Sequence, residues 1–160
     1  MKRLLLLIFI STSAFSSSEV VYKQSLLNKY FESIEIVKKQ EKACKVSAII
    51  LPKDTFKRVK ISEEELSVVL NYFYFKSEVS CSKDALHDYY AASVLLRLSD
   101  KKTEKTISTS DELISLTYKQ FIKAEMNFSR LPIELKKQVE KIELLNKPFL
   151  PLESLENISS

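Results

Sequence analysis

A chain of 160 residues has room for one ordinary domain, and 45% hydrophobic with 29% charged residues gives enough apolar matter for a packed core. It contains no glycine, where average usage of about 7% would supply roughly eleven. Every glycine-dependent phosphate loop, dinucleotide fingerprint and nucleophile elbow is therefore excluded, and a single histidine excludes His-pair metal motifs.

Met1, Lys2 and Arg3 precede the apolar run Leu4–Ile10 and the small residues Ser11–Ala14, the three-part layout of a secretory signal peptide. The run is shorter than the roughly 20 residues that span a bilayer core. A cleaved signal over residues 1–16 is expected, with Ala14-Phe15-Ser16 or Thr12-Ser13-Ala14 as the small-x-small site. The mature chain then has no transmembrane segment and lies in the periplasm or is secreted. Lys2 and Arg3 supply two of the four net positive charges, so a side-chain balance of +2 remains. Lysines interleaved with glutamates read as solvated surface, and nucleic acid is not an expected partner. The clearest basic cluster is Lys38, Lys39, Lys42 and Lys45, continuing loosely through Lys53, Lys57, Arg58 and Lys60.

The apolar residues Leu27, Tyr30, Phe31, Ile34 and Val37 recur at helical spacing, which predicts an amphipathic helix over about 20–44. Residues 46–61 carry a β-branched run ending at Pro52 and admit two readings, a short strand or hairpin, or a helix tail followed by irregular chain. Ser62 and Glu65 have capping-box spacing, with Ile61 and Leu66 placed as a hydrophobic staple and three glutamates in the first turn. They predict a central helix over 63–76, apolar nearly all round.

Ser82 is an N-cap for a third helix, with a stripe through Ala85, Leu86, Tyr89, Tyr90, Val94 and Leu98. Residues 99–110 read as an exposed loop. Thr109 and Glu112 have capping-box spacing ahead of a fourth helix carrying Leu113, Ile114, Thr117, Phe121, Ala124 and Phe128. Pro132 opens a last helix with the stripe Leu135, Val139, Ile142 and Leu145, which Asn146 and Pro148 end. Residues 148–152 are expected to lie extended across the bundle, and residues 151–160 to form a frayed tail.

The sum is an all-α, single-domain bundle of about five amphipathic helices over residues 17–150. Cys44 and Cys81, the only cysteines, lie in the exported part and are expected to form one disulfide that staples it.

Candidate chemistry is sparse. His87 stands beside Asp84 and Asp88, but no nucleophile motif accompanies it, and a hydrolase using His87 is the last of the readings. No metal set and no cofactor-binding loop is found, so no cofactor is expected. Asn127-Phe128-Ser129 and Asn157-Ile158-Ser159 match the short glycosylation acceptor pattern.

The unusual feature is the aromatic surplus, Tyr72-Phe73-Tyr74-Phe75 and Tyr89-Tyr90. Neighbours set about 100° apart cannot all face one core. Tyr74 and Tyr90 are the candidates for a partner-binding patch, because tyrosine joins apolar area to a polar tip. The leading functional expectation is a non-enzymatic exported protein that binds another protein of the envelope or cell exterior, as adaptor, assembly factor or inhibitor. Alternatives are an immunity-type protein blocking an exported toxin and a helical carrier of an apolar small molecule; peripheral membrane contact through the last helix and tail is less favoured.

Overall fold

The computed structural model describes residues 6–99 and 104–159, with side-chain surroundings for 19–99 and 116–159. Among these, six α-helices follow one another: α1 (Leu6–Val46), α2 (Glu63–Cys81), α3 (Lys83–Ser99), α4 (Glu104–Ser129), α5 (Ile133–Val139) and α6 (Pro151–Ser159), with a 3-10 turn at Glu143–Asn146 before α6. The chain is an all-α bundle, and the Cys44–Cys81 disulfide is formed, with 6.2 Å between the two Cα atoms.

Helix α1 is longer than its apolar stripe requires, because no proline or glycine interrupts residues 6–46. Its described buried residues are Leu26, Ser33, Tyr30, Ile34, Val37 and Cys44, while Phe31 is turned out to solvent. No buried side chain described on α1 precedes Leu26. The helix ends where the Ser47 hydroxyl donates to the Cys44 carbonyl at 2.9 Å.

The connection 46–61 contains no hairpin. Residues 53–59 turn on themselves through short-range bonds such as Thr55 N–H to the Pro52 carbonyl and Val59 N–H to the Phe56 carbonyl. The one bridge is parallel and distant in sequence, joining Ile49 to Phe149. Ile49 N–H donates to the Pro148 carbonyl at 3.0 Å, and Leu150 N–H donates back to the Ile49 carbonyl at 2.9 Å. The β-branched run therefore does extend, but its partner is the segment 148–150.

At the start of α2 the capping box is complete. Ser62 N–H donates to Glu65 Oε2 at 2.9 Å, and Glu65 N–H donates to Ser62 Oγ at 3.3 Å. Caps of this kind contribute about 1 kcal/mol. The backbone bond and the Ser62 hydroxyl hold the Glu65 carboxyl below its usual value. The helix then buries Leu66, Val69, Leu70, Phe73 and Ser77. Its four consecutive aromatics divide their surroundings: Phe73 is fully buried, Tyr72 stacks on Phe128 with ring centroids 4.1 Å apart, and Tyr74 lies 6.4 Å from Phe149.

Two apolar clusters result. One unites α2 with Phe128 of α4, Leu135 and Val139 of α5, Leu145, Phe149, and Leu51 and Phe56 of the connection. The other lies between α1 and α3 and holds Leu26, Tyr30, Ile34, Val37, Ala85, Leu86, Tyr89 and Leu96. The disulfide stands where they meet, tying the end of α1 to the α2–α3 corner, with the Gln40 amide donating to the Cys81 carbonyl at 3.1 Å.

Three expectations are corrected at the carboxyl-terminal half. Helix α4 begins at Glu104, so Thr109 stands inside it and is no N-cap; of the expected loop, residues 100–103 lie outside the described residues. The last predicted helix stops at Val139, and Ile142 and Leu145 reach the core through the 3-10 turn instead. Residues 151–159 are helical and docked. Pro151 starts α6 without needing the amide hydrogen it lacks. Ser154, fully buried, accepts a bond from Leu51 N–H at 3.0 Å, and the Asn157 amide donates to the Leu51 carbonyl at 2.9 Å. No residue described has a positive φ, so the described turns close without the conformation that favours glycine.

Candidate protein-binding surface

Helix α3 carries apolar residues on two opposite sides. At about 100° per residue, Ala85, Leu86, Tyr89, Ser93 and Leu96 share one side, and all are buried toward α1. The rings of Tyr30 and Tyr89 meet there, 5.8 Å apart. The other side presents Tyr90, Ala91, Val94, Leu95 and Leu98 to solvent, with Leu98 80% and Val94 54% exposed. The sequence pattern had assigned Tyr90, Val94 and Leu98 to the packing stripe; the buried positions in the second half of the helix are Ser93 and Leu96. The signal was present as two interleaved stripes, 85-89-93-96 and 87-91-94-98, and only one of them can face α1.

His87, Tyr90, Ala91, Val94 and Leu95 line a shallow depression on this outer side. Helix α4 widens it: the Tyr118 ring stands edge-on to Tyr90 at 5.9 Å. Burial raises the Tyr90 phenol above its usual value, and Tyr118 adds to the rise, so the hydroxyl stays a neutral donor and acceptor at physiological pH. Ile122 and Met126 continue an exposed apolar stripe along α4 beyond Tyr118. Isolated exposed apolar side chains are ordinary on a soluble protein, but a contiguous set on one helix face is the usual mark of an interaction site.

The two tyrosines singled out in the sequence have different surroundings. Tyr90 belongs to the outer side of α3. Tyr74 is half-buried on α2, packed against the larger core beside Phe75 and Phe149. Burial raises its phenol, followed by the nearby Glu78 and Glu41 carboxylates. The structure does not bring the two into ring contact. His87 is exposed, and its Nδ1 lies 3.6 Å from Asp88 Oδ1 on the same helix. The side chains sharing its depression are Tyr90, Ala91, Val94 and Leu95, a set that lacks an aliphatic hydroxyl or thiol nucleophile. Among the described residues no group of three or more His, Cys, Asp or Glu is placed to hold a metal ion.

Other concavities are of different character. Between the 54–59 turn and α5, an open groove is lined by Asp54, Thr55, Lys57, Arg58, Gln138 and Lys141 and encloses about 670 Å³. A second groove of about 330 Å³ lies between α2 and α6, where Val68, Leu70, Leu152 and Leu155 meet Asn71 and Asn127. Near the disulfide a void of only about 10 Å³ separates Glu41 and Glu78 from Leu86, Thr117 and Tyr118.

Burial raises the Glu78 carboxyl; Lys45 opposes the rise and Glu41 adds to it. A carboxyl with a raised folded value is a charge the fold disfavours, so its cost is present at neutral pH. That cost is relieved as pH falls through the folded value toward the ordinary carboxylate value. Glu78→Gln is therefore expected to stabilise the protein at pH 7 by roughly 0.5 kcal/mol, the scale left after solvent screening of a half-exposed group. The gain should shrink as the buffer is acidified. Denaturant melts of both proteins from neutral to mildly acid pH check this, and a gain that grew on acidification would contradict it.

Searches against protein families, curated proteins and solved structures return no match.

Proposed function

We propose that this chain is an exported, disulfide-stapled helical protein that works by binding another protein through the outer side of α3. The observation that carries the reading is the second apolar face of that helix, Tyr90, Ala91, Val94, Leu95 and Leu98, extended by Tyr118 of α4. Tyrosine is among the residues that carry most of the energy of protein interfaces, and a surrounding apolar rim excludes water from it. Export is supported by Met1-Lys2-Arg3 with the apolar run Leu4–Ile10, by the Cys44–Cys81 disulfide, and by the placement of α1's described core residues after position 25. Among the described residues no helix is long and apolar enough to cross a membrane.

The test is affinity capture of the tagged protein from the envelope of its host, beside a Val94→Glu/Leu98→Glu variant. Both positions are exposed, so the variant should keep the wild-type helical spectrum and melting temperature while recovery of any specific partner falls at least about tenfold. Equal recovery by a folded variant would remove the α3 face from the reading.

One observation favours a second reading. The groove beside α5 gathers Lys57, Arg58 and Lys141, a surface suited to an acidic protein such as a toxin that the chain would neutralise. Lys57→Glu/Arg58→Glu separates the two, since only an acidic partner seated in that groove is lost.

A further inference from the structure

The groove between the 54–59 turn and α5 is built differently from the rest of the lysine-rich surface. On one wall Lys57 and Arg58 follow Phe56, which is buried in the larger apolar cluster. Backbone bonds from Lys57 N–H to the Asp54 carbonyl at 3.0 Å and from Val59 N–H to the Phe56 carbonyl at 2.8 Å fix that wall. On the other wall Gln138 and Lys141 stand either side of Val139, fully buried in the same cluster, and Lys141 N–H donates to the Gln138 carbonyl at 3.3 Å. Both walls are anchored to one core, so the polar side chains start from a fixed backbone.

Two other lysines of α5 are engaged within the protein. Lys136 Nζ donates to the Ser129 carbonyl at 2.7 Å, and Lys137 pairs with Glu134 at 3.1 Å. Among the described residues, no ion pair or side-chain hydrogen bond engages Lys57, Arg58, Lys141, Gln138 or the Asp54 carboxylate. The lining therefore sets three uncommitted cations against one carboxylate. Glu134, Glu140 and Glu143 lie outside that lining, as do Lys53 and Lys60.

We propose that this groove binds a small organic phosphate that carries hydroxyl groups, of the sugar-phosphate or glycerophosphate class. The guanidinium fork of Arg58 and the ammonium groups of Lys57 and Lys141 are donors suited to phosphate oxygens. The Asp54 carboxylate accepts, and the Gln138 amide both donates and accepts. The Thr55 hydroxyl gives its hydrogen to the Pro52 carbonyl at 2.6 Å, which leaves its oxygen to accept as well. Such acceptors favour a ligand with hydroxyl hydrogens over a bare anion. Val59 and Ile142 supply an apolar strip for its carbon skeleton, and the volume of about 670 Å³ is that of a small-molecule pocket. The site is independent of the α3 face and competes with an acidic protein for the same groove.

Titration calorimetry of the purified, oxidised protein with glycerol phosphate, glucose phosphate and inorganic phosphate tests this. The two esters should bind at about 0.1–1 mM, and inorganic phosphate at least about fivefold more weakly. Lys57→Gln/Arg58→Gln, at two exposed positions, should weaken ester binding at least about tenfold while keeping the wild-type melting temperature. Asp54→Ala should tighten inorganic phosphate and weaken the esters, opposite shifts that a general attraction for anions does not produce. No binding of either ester by about 10 mM overturns the site. Binding that Lys57→Gln/Arg58→Gln leaves unchanged overturns it too, as does an Asp54→Ala variant that tightens all three ligands alike. A glutamate-rich peptide that binds where the esters do not overturns it in favour of an acidic protein. Vesicles of phosphatidylglycerol, beside phosphatidylcholine, separate the two sources of the ligand. Co-sedimentation with phosphatidylglycerol that glycerol phosphate reverses assigns a lipid headgroup, and ester binding without co-sedimentation assigns a free phosphate. Val94→Glu/Leu98→Glu should bind the esters as wild type does, so failure of the groove and failure of the α3 face are read separately.

Discussion

Replacing Cys44 and Cys81 by alanine is expected to lower stability by about 3–4 kcal/mol, the loop-entropy contribution of a cross-link spanning 37 positions. Against the roughly 5–15 kcal/mol available to a domain, that is a large fraction. The position of the bond sharpens the expectation. Helix α1 packs chiefly on α3, while α2 packs on α4 and α6, so the disulfide corner carries much of what holds the two apolar clusters together. Cys44 is fully buried, which adds a packing loss to the entropic one. Hydrogen exchange on the variant should show the α1–α3 amides losing protection before those of α2, whereas the oxidised protein opens more nearly as one unit. Equal loss of protection in both clusters would show that they are joined by packing alone.

Phe149→Ala is expected to cost about 3–5 kcal/mol, the range for deleting a buried phenylalanine ring. Phe149 is 1% exposed and packs in the larger cluster near Tyr74. Its backbone neighbours hold Ile49, and beyond it Ser154 and Asn157 bond both polar groups of the Leu51 backbone. The segment 148–159 is thus a clasp that fixes the connection 46–61 in place. Phe149→Leu should retain most of the stability, since it leaves a smaller void. A chain ending at Lys147 should be much less stable than Phe149→Ala, because Ile49 and Leu51 would lose their backbone partners as well. Thermal melts of the three proteins order these effects, and a truncated chain as stable as wild type would refute the clasp.

These features differ in how far they could be read from the residues. The Ser62–Glu65 capping box was legible because a cap is local: four adjacent residues satisfy one another whatever the rest of the chain does. The cysteine pairing was legible because a chain with two cysteines offers one pairing. The bridge between Ile49 and Phe149 was not, because strand pairing across a hundred residues leaves no mark beyond a β-branched run and an extended X-Pro segment, each with several uses. The docking of the tail was hidden because its polar residues suggest fraying, while Ser154 and Asn157 bond the Leu51 backbone inside the fold. The side of α3 facing α1 was undetermined for a different reason. Both of its stripes are apolar, and periodicity shows that stripes exist without showing which has a neighbour.

The absence of positive backbone φ among the described residues has a meaning for descent. Most folds contain a few corners where glycine alone fits, and those positions stay recognisable long after the rest of a sequence has diverged. Every corner among the described residues is built from conformations open to ordinary residues, so substitution at those turns meets little steric resistance. Kinship among such chains would persist as a spacing of apolar stripes, two cysteines and a capping serine, and relatives could share the architecture with few identical residues between them.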